Sequence, residues 1–430
     1  MRRVARERTD LRRAILSMVL AFMVPAAVIL GRFPDEALPA SFLVRPLLLA
    51  AVLAAFIGVA CRLTGERAPV VATAAALLVA APDPLLVLPL AAIMLIEELR
   101  RRRGRSAEAL IPILVGAFFA VGLLRTIPLI EAFPAGSMAD AEGPSTYVVL
   151  LDGYPRMDSL AGLGIDNRPF VDELEARGFD HYADATSLHV RTHETLQAML
   201  TTQAVVDDSG TVEEQRAIRR QLVVPHGFVA VDPAIGYVTL GPGNHIDGGG
   251  LTDFEIELLG ISAVGVVAPD AAWSIALEGL RARIERALDL MASGEHRRLF
   301  VHLMAPHPPF LHGSDGSEDA PRWCWPGCGA FTNQIEFLKV TKAEWADGMA
   351  AQLEYLNGLL LGAIDSVLAR DPDAVIVLFS DHGGRYSEHD RDEWNRTFLA
   401  ARTPGHPGLF ADAPRPDVII RSLFDAYRGE

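Results

Sequence analysis

Charge is what the first third of this chain lacks. Across residues 1–130 long runs carry almost no ionisable side chain, although the whole 430-residue chain is 22% charged and 50% hydrophobic. That distribution excludes both a disordered chain and an average soluble globule. The charge that does occur there is basic: 16 arginines stand against 9 acidic residues, a net of +7, which against −15 overall leaves −22 on residues 131–430. The acidic remainder has no excess of the basic residues that a phosphate backbone demands, which argues against nucleic acid as a partner. At about 300 residues it is ample for one domain with a large core.

Four apolar blocks fill the first third. Ala14–Gly31 is uncharged and follows Arg2, Arg3, Arg6, Arg8, Arg12 and Arg13; no small-residue cleavage site stands out after it, which argues against a removed signal peptide. Ala40–Cys61 holds only Arg45, near one end, where a long side chain can snorkel. Ala109–Ile130 holds only Arg125. A membrane helix needs roughly 20 apolar residues, so each of these three is long enough to span. The third block, Ala68–Ile96, is too long for one straight pass: as a helix it would run roughly 43 Å against a hydrocarbon core of about 30 Å. Pro82-Asp83-Pro84 breaks it near the middle and predicts a short hairpin, fully spanning or partly re-entrant.

The arginines orient this set. With the N-terminus in the cytoplasm, Arg62 and Arg67 fall inside, and a hairpin brings Arg100–Arg103 and Arg105 inside as well. A single pass would put that cluster outside, against the rule. The expectation is a multi-pass transmembrane region over 1–130 with about five passes and a Pro/Gly/Ala linker over 131–145. Residues 146–430 then lie outside the cytoplasm, at the plasma membrane.

Past the linker, Thr146–Leu151 is the apolar run of a buried parallel strand, ended by Asp152. Helices are predicted over 170–177, 192–200, 271–291 and 343–370, and strands over 228–231, 237–240, 299–304 and 374–380. Alternating strands and helices imply an α/β domain with a mostly parallel central sheet, whose ligands bind at the carboxyl ends of strands. Three such ends carry polar residues: Asp152-Gly-Tyr-Pro-Arg156, His302-Leu-Met-Ala-Pro-His307, and Ser380-Asp381-His382-Gly383-Gly384. Two carboxylates and an imidazole suit a divalent cation. Taken singly, Asp152 is also an ordinary turn residue and Asp381-His382 an ordinary cap.

Ser-Asp381-His382-Gly at a strand end resembles the metal motif of the alkaline phosphatase superfamily. Within it, the pattern is most similar to the sulfatase-like hydrolase/transferase branch, which includes the membrane enzymes that make lipoteichoic acid and add phosphoethanolamine to lipid A. The resemblance covers about residues 145–405 and implies five passes followed by an extracytoplasmic catalytic domain. It also implies a nucleophile at a helix start, matched here by Thr192-His-Glu-Thr195-Leu-Gln-Ala-Met-Leu-Thr. Thr192 becomes nucleophile and metal ligand and Thr195 the first-turn hydroxyl; a plain helix cap at Thr192, or Thr195 as nucleophile, are the rival readings. On this resemblance Asp152, Thr192, Asp381 and His382 hold one divalent ion (Mn, Mg, Zn or Ca), and His307 contacts the transferred group or the leaving oxygen. His389, Arg156, Arg385 and Arg396 are candidate substrate contacts, while His302, inside its strand, reads as a core residue.

Sulfatase chemistry in the strict sense is disfavoured. The Cys/Ser-x-Pro-x-Arg sequence is missing, Cys324-Trp-Pro-Gly-Cys328 being its nearest echo, and Gly153 follows Asp152 where those enzymes pair aspartates. The chain has three cysteines. Cys61 ends a span on the cytoplasmic side; Cys324 and Cys328 suit a small disulfide in an oxidising compartment, or half a zinc site with His312 nearby. The expected substrate is a lipid-linked or envelope-polymer phosphate ester, met at the lipid bilayer. A sulfuric-ester hydrolase, a soluble phosphodiesterase and a catalytically silent scaffold are the alternatives.

Overall fold

A computed structural model describes residues 41–64, 144–200, 228–231, 244–246, 253–261, 268–308, 340–386 and 392–427, with a few short pieces elsewhere. The chain divides into two compact units, Met1–Ala132 with Thr252–Ala276, and Phe133–Leu251 with Leu277–Glu430.

In the first unit, helix α1 (Ser41–Thr64) takes up the second apolar block. Leu43, Pro46, Ala50 and Ala54 are buried, at the 3–4 spacing of one helix face, while Val44, Leu48, Leu49, Val52 and Val59 are exposed. Arg45 meets Glu255 at 3.4 Å. Glu255 lies on a nine-residue helix, Asp253–Ile261, that belongs to this unit although it is far along the chain. Leu38–Pro39 pairs in parallel with Ile130–Glu131. Among the described residues no helix is long and apolar enough to cross a membrane. The first, third and fourth apolar blocks lie largely or wholly outside the described residues, as do Cys324, Cys328, His312, His389 and the strand expected over 237–240.

The second unit is built on a seven-stranded sheet. In chain order its strands are β1 (Thr146–Leu151), β2 (Asp180–His181), β3 (Val229–Val231), β4 (Asn244–Ile246), β5 (Arg298–Leu303), β6 (Val375–Phe379) and β7 (Leu399–Arg402). Their spatial order is β2-β7-β6-β1-β5-β3-β4. Only β7 runs against its neighbours. Strand β1 sits in the centre with all six residues buried, as a near-continuous apolar run requires when both faces of a sheet are covered. Its register aligns Leu150 with His302 on one side and Phe379 on the other, so β6, β1 and β5 end at one level. That shared level is what brings their polar ends together.

A long helix, Lys342–Arg370, begins at a capping box: Thr341 Oγ1 accepts from the Glu344 backbone N–H at 3.1 Å, and the Glu344 carboxylate accepts from the Thr341 N–H at 2.8 Å. Its buried stripe of Trp345, Met349, Leu353, Leu356, Leu360, Ile364 and Val367 repeats every three or four residues, and two polar residues, Gln352 and Asn357, are buried with it.

Candidate metal centre

Asp152 is the first residue past β1, and its N–H extends the ladder to Leu303 O at 3.0 Å. Asp381 and His382 follow β6, with Ser380 as spacer. All three side chains are buried, and each offers a ligand atom within 4.8 Å of the others. His382 Nε2 lies 3.6 Å from Asp152 Oδ1 and 3.4 Å from Asp381 Oδ2. These same three atoms are buried without a hydrogen-bond partner. Burying unpaired acceptors is costly, and doubly so for two carboxylates side by side.

The surrounding bonds fix which atoms face inward. His382 Nδ1 is 2.8 Å from Gly383 O, an acceptor only, so Nδ1 carries the proton and Nε2 presents a lone pair. Asp381 Oδ1 accepts the Gly153 N–H at 3.1 Å, leaving Oδ2 for the cluster. Asp152 Oδ2 is taken by His302 Nε2 at 3.1 Å and by the Thr192 hydroxyl in a long 3.4 Å hydrogen bond, leaving Oδ1. Three inward lone pairs and one hydroxyl make a donor set that fits a divalent cation. In a tetrahedral site with bonds of about 2.1 Å the ligand atoms stand about 3.4 Å apart, and the two histidine–carboxylate spacings match that edge.

Electrostatics say the same. Burial, then the charge of Asp152, pushes Asp381 up to about 6. Burial raises Asp152 too, but the His302 hydrogen bond and the charges of His307, His382 and His302 outweigh it and hold it below the usual carboxylate range. Burial, helped by the Arg385 charge, takes His382 down to about 3, so its imidazole is neutral and free to ligate. Asp381 thus holds its proton more tightly than an ordinary carboxyl, and a cation bound there would take that proton's place.

Two glycines are demanded by this packing. Gly153 has φ +66°, and a Cβ there would come within 3.2 Å of the His382 ring. A side chain at 153 would therefore be strained and would press on the His382 ring. At Gly383 a Cβ would lie 2.1 Å from Glu393 O.

Thr192 is the first residue of helix Thr192–Leu200, so its hydroxyl sits among the unpaired N–H groups of a helix start. Thr195, one turn on, is fully buried and turned elsewhere: its hydroxyl donates to Asp381 O at 2.9 Å and lies 3.2 Å from Ser187 Oγ. It buttresses the backbone of the Asp381 loop rather than facing the cluster. His307 follows β5 in the buried interior, with its ring centroid 6.5 Å from that of His382. Its Nδ1 is 2.7 Å from Pro308 O, which leaves Nε2 with the lone pair, and burial, above all, lowers its pKa.

Three residues differ from the sequence reading in their surroundings. His302 is a buried strand residue, but its partner is Asp152 itself. The signal was available: 302 pairs with 150, so by strand alternation it shares a face with 152 on the next strand. Arg156 and Arg396 meet acidic neighbours instead of the cluster. Arg156 grips both Asp158 oxygens at 2.8 and 2.7 Å, and Arg396 pairs with Glu393 at 2.9 Å and Asp158 at 3.4 Å.

No protein-family model matches the chain, and no curated protein matches it in sequence. Among solved structures it is similar to the integral membrane protein lipooligosaccharide phosphoethanolamine transferase A (EptA) from Neisseria meningitidis, with 15% identity over 96% of this chain and 84% of that one, at a TM-score of 0.40. It is also similar to the C-terminal periplasmic domain of EcEptC from Escherichia coli in complex with Zn, with 15% identity over 69% of this chain and 88% of that one, at a TM-score of 0.37. A third is the phosphonate monoester hydrolase of Agrobacterium radiobacter, with 14% identity over 66% of this chain and 73% of that one, at a TM-score of 0.35.

Proposed function

We propose that the protein is a membrane-anchored, metal-dependent enzyme of the cell envelope that transfers or hydrolyses a phosphate ester through a covalent intermediate on Thr192. The observation that carries this reading is the convergence of Asp152 Oδ1, Asp381 Oδ2 and His382 Nε2, all buried and unpartnered, beside a threonine hydroxyl at a helix start. Asp152, Thr192, Asp381 and His382 would hold one divalent ion. When bound, such an ion lowers the pKa of the threonine hydroxyl and offsets charge on the reacting oxygens.

The chain's own residues do the rest. Asp152 Oδ2 orients the Thr192 hydroxyl, and the helix start favours the negative charge that develops there. Thr192 Oγ1 gives its proton to Asp152 Oδ2 and forms the new bond to phosphorus as the ester oxygen departs; the phosphoryl group then passes to water or to an acceptor hydroxyl, and Thr192 takes its proton back. His307 keeps Nε2 free to take a proton and hand it to the leaving oxygen. His389, Arg156 and Arg396 stand as outer substrate contacts, the two arginines only where substrate displaces Asp158 and Glu393.

The membrane reading draws on the arginine distribution and on α1, whose outward face is itself apolar. A cell-envelope location makes a lipid-linked or polymer phosphate ester the fitting substrate and a Cys324–Cys328 disulfide the fitting cysteine chemistry. The test is turnover of a generic phosphodiester and a generic sulfate ester by metal-loaded protein. Cleavage of the phosphodiester with trapping of a phosphorylated Thr192 supports the reading; cleavage of the sulfate ester alone rejects it.

A further inference from the structure

Three arginines flank the metal centre in sequence, and they differ in what they have for company. Arg156 and Arg396 each hold acidic partners. Arg385, three residues past His382, is 8% exposed, and its Nε is buried with no hydrogen-bond partner. Among the described residues no carboxylate pairs with it. A guanidinium does not shed its proton inside a protein, so a buried one whose Nε lacks an acceptor is retained at a cost. Its field reaches the centre: the charge depresses His382 and His307, and Asp152 and Asp381 in turn favour it.

Counting charge shows what the group is for. A divalent ion and two carboxylates cancel, and neutral imidazoles add nothing, so the donor set alone offers no net attraction to an anionic substrate. A buried arginine whose charge reaches that set leaves one positive charge, in a planar fork that matches two oxygens of a tetrahedral anion.

We propose that Arg385 is the anion-binding residue of the site, its guanidinium taking non-bridging oxygens of the transferred phosphoryl group. This rests on the reading of the site as a phosphate-ester centre. It separates Arg385 from Arg156 and Arg396, whose acceptors are already in place.

The test is binding of inorganic phosphate to the purified, metal-loaded full chain by titration calorimetry, for the native protein, Arg385→Ala and Arg385→Lys, with metal content and melting temperature measured on each. The native chain is expected to bind one phosphate. Arg385→Ala is expected to weaken binding by about ten-fold or more at unchanged metal content, with added guanidinium ion restoring part of it. Arg385→Lys falls between, because an ammonium keeps the charge and loses the fork. Native-like phosphate binding by Arg385→Ala overturns the proposal, as does a native chain that binds none. Should the alanine variant fail to fold, the lysine variant decides, and an affinity equal to the native one overturns it. Turnover of a generic phosphodiester by the same preparations keeps the two readings apart: phosphate binding that depends on Arg385, without any turnover, rejects the enzymatic reading and leaves the anion site standing.

Discussion

Two buried polar clusters grow from one short stretch, Asp152-Gly-Tyr154, and they are opposites. Around Tyr154 every bond closes. Its hydroxyl donates to Asn357 Oδ1 at 2.9 Å, Asn167 Nδ2 donates to the same hydroxyl at 2.8 Å, and Asn357 Nδ2 donates to Asn167 Oδ1 at 2.8 Å. Around Asp152, two residues earlier, three atoms on three residues are left without partners. The ring ties β1 to helices Arg168–Ala176 and Lys342–Arg370 and needs nothing more. The centre is complete only with something added. A buried polar cluster that satisfies itself is architecture, and one that leaves inward lone pairs is a candidate site.

The largest effect that would sharpen this contrast is at Thr192. Thr192→Ala deletes the nucleophile but leaves two carboxylates and an imidazole, so turnover should fall by several powers of ten while metal remains. Thr195→Ala removes a buttress behind Asp381 and should cost about 1 kcal/mol of stability, with turnover largely kept. Activity surviving Thr192→Ala and vanishing with Thr195→Ala would move the nucleophile by one helical turn.

Next comes His302, which holds Asp152 Oδ2 so that Oδ1 faces the cluster. His302→Ala should weaken metal affinity by about 10–100-fold, read by competition with a chromophoric chelator. An unchanged affinity would return His302 to the core, where its strand position first placed it.

How the rest of the site read from sequence follows the same physics. Strands Thr146–Leu151, Arg298–Leu303 and Val375–Phe379 are near-continuous apolar runs, so the strand-end positions of Asp152, His307 and Asp381 were legible from local pattern. The helix start at Thr192 was legible too. Strand Leu399–Arg402 was not: four residues owe their conformation to pairing with β6, which no local window contains. The bond from His302 to Asp152 depends on register between strands 150 residues apart. The difference between Arg385 and its neighbours depends on which acceptors the fold supplies.

Acidity probes the open cluster without mutation. Asp381, raised to about 6 against 3.8, binds its proton more tightly in the metal-free fold than in the unfolded chain. That stabilisation is complete below about pH 4 and is lost as pH rises through 6. Metal must displace the same proton, while His382, already neutral above about 3, offers no competition. The gap in melting temperature between metal-loaded and chelator-stripped protein should therefore be wider at pH 7.5 than at pH 5. An equal gap would mean that Asp381 does not lose a proton to the metal.

A smaller effect is expected in the closed ring. Tyr154→Phe strands two amides in the interior and should cost about 1–3 kcal/mol, seen as a lower melting temperature. Metal per chain and turnover per bound metal should stay native. Loss of metal would show that the two clusters are not independent.

The central claim is that Asp152, Asp381 and His382 leave their lone pairs for a cation, and metal content tests it most directly. Elemental mass spectrometry of the purified chain, with Asp381→Ala and His382→Ala beside it, should find one divalent ion per native chain and little in either variant, while Thr192→Ala retains it. A native chain without stoichiometric metal after loading, or variants that bind it as well as the native chain does, would contradict the account.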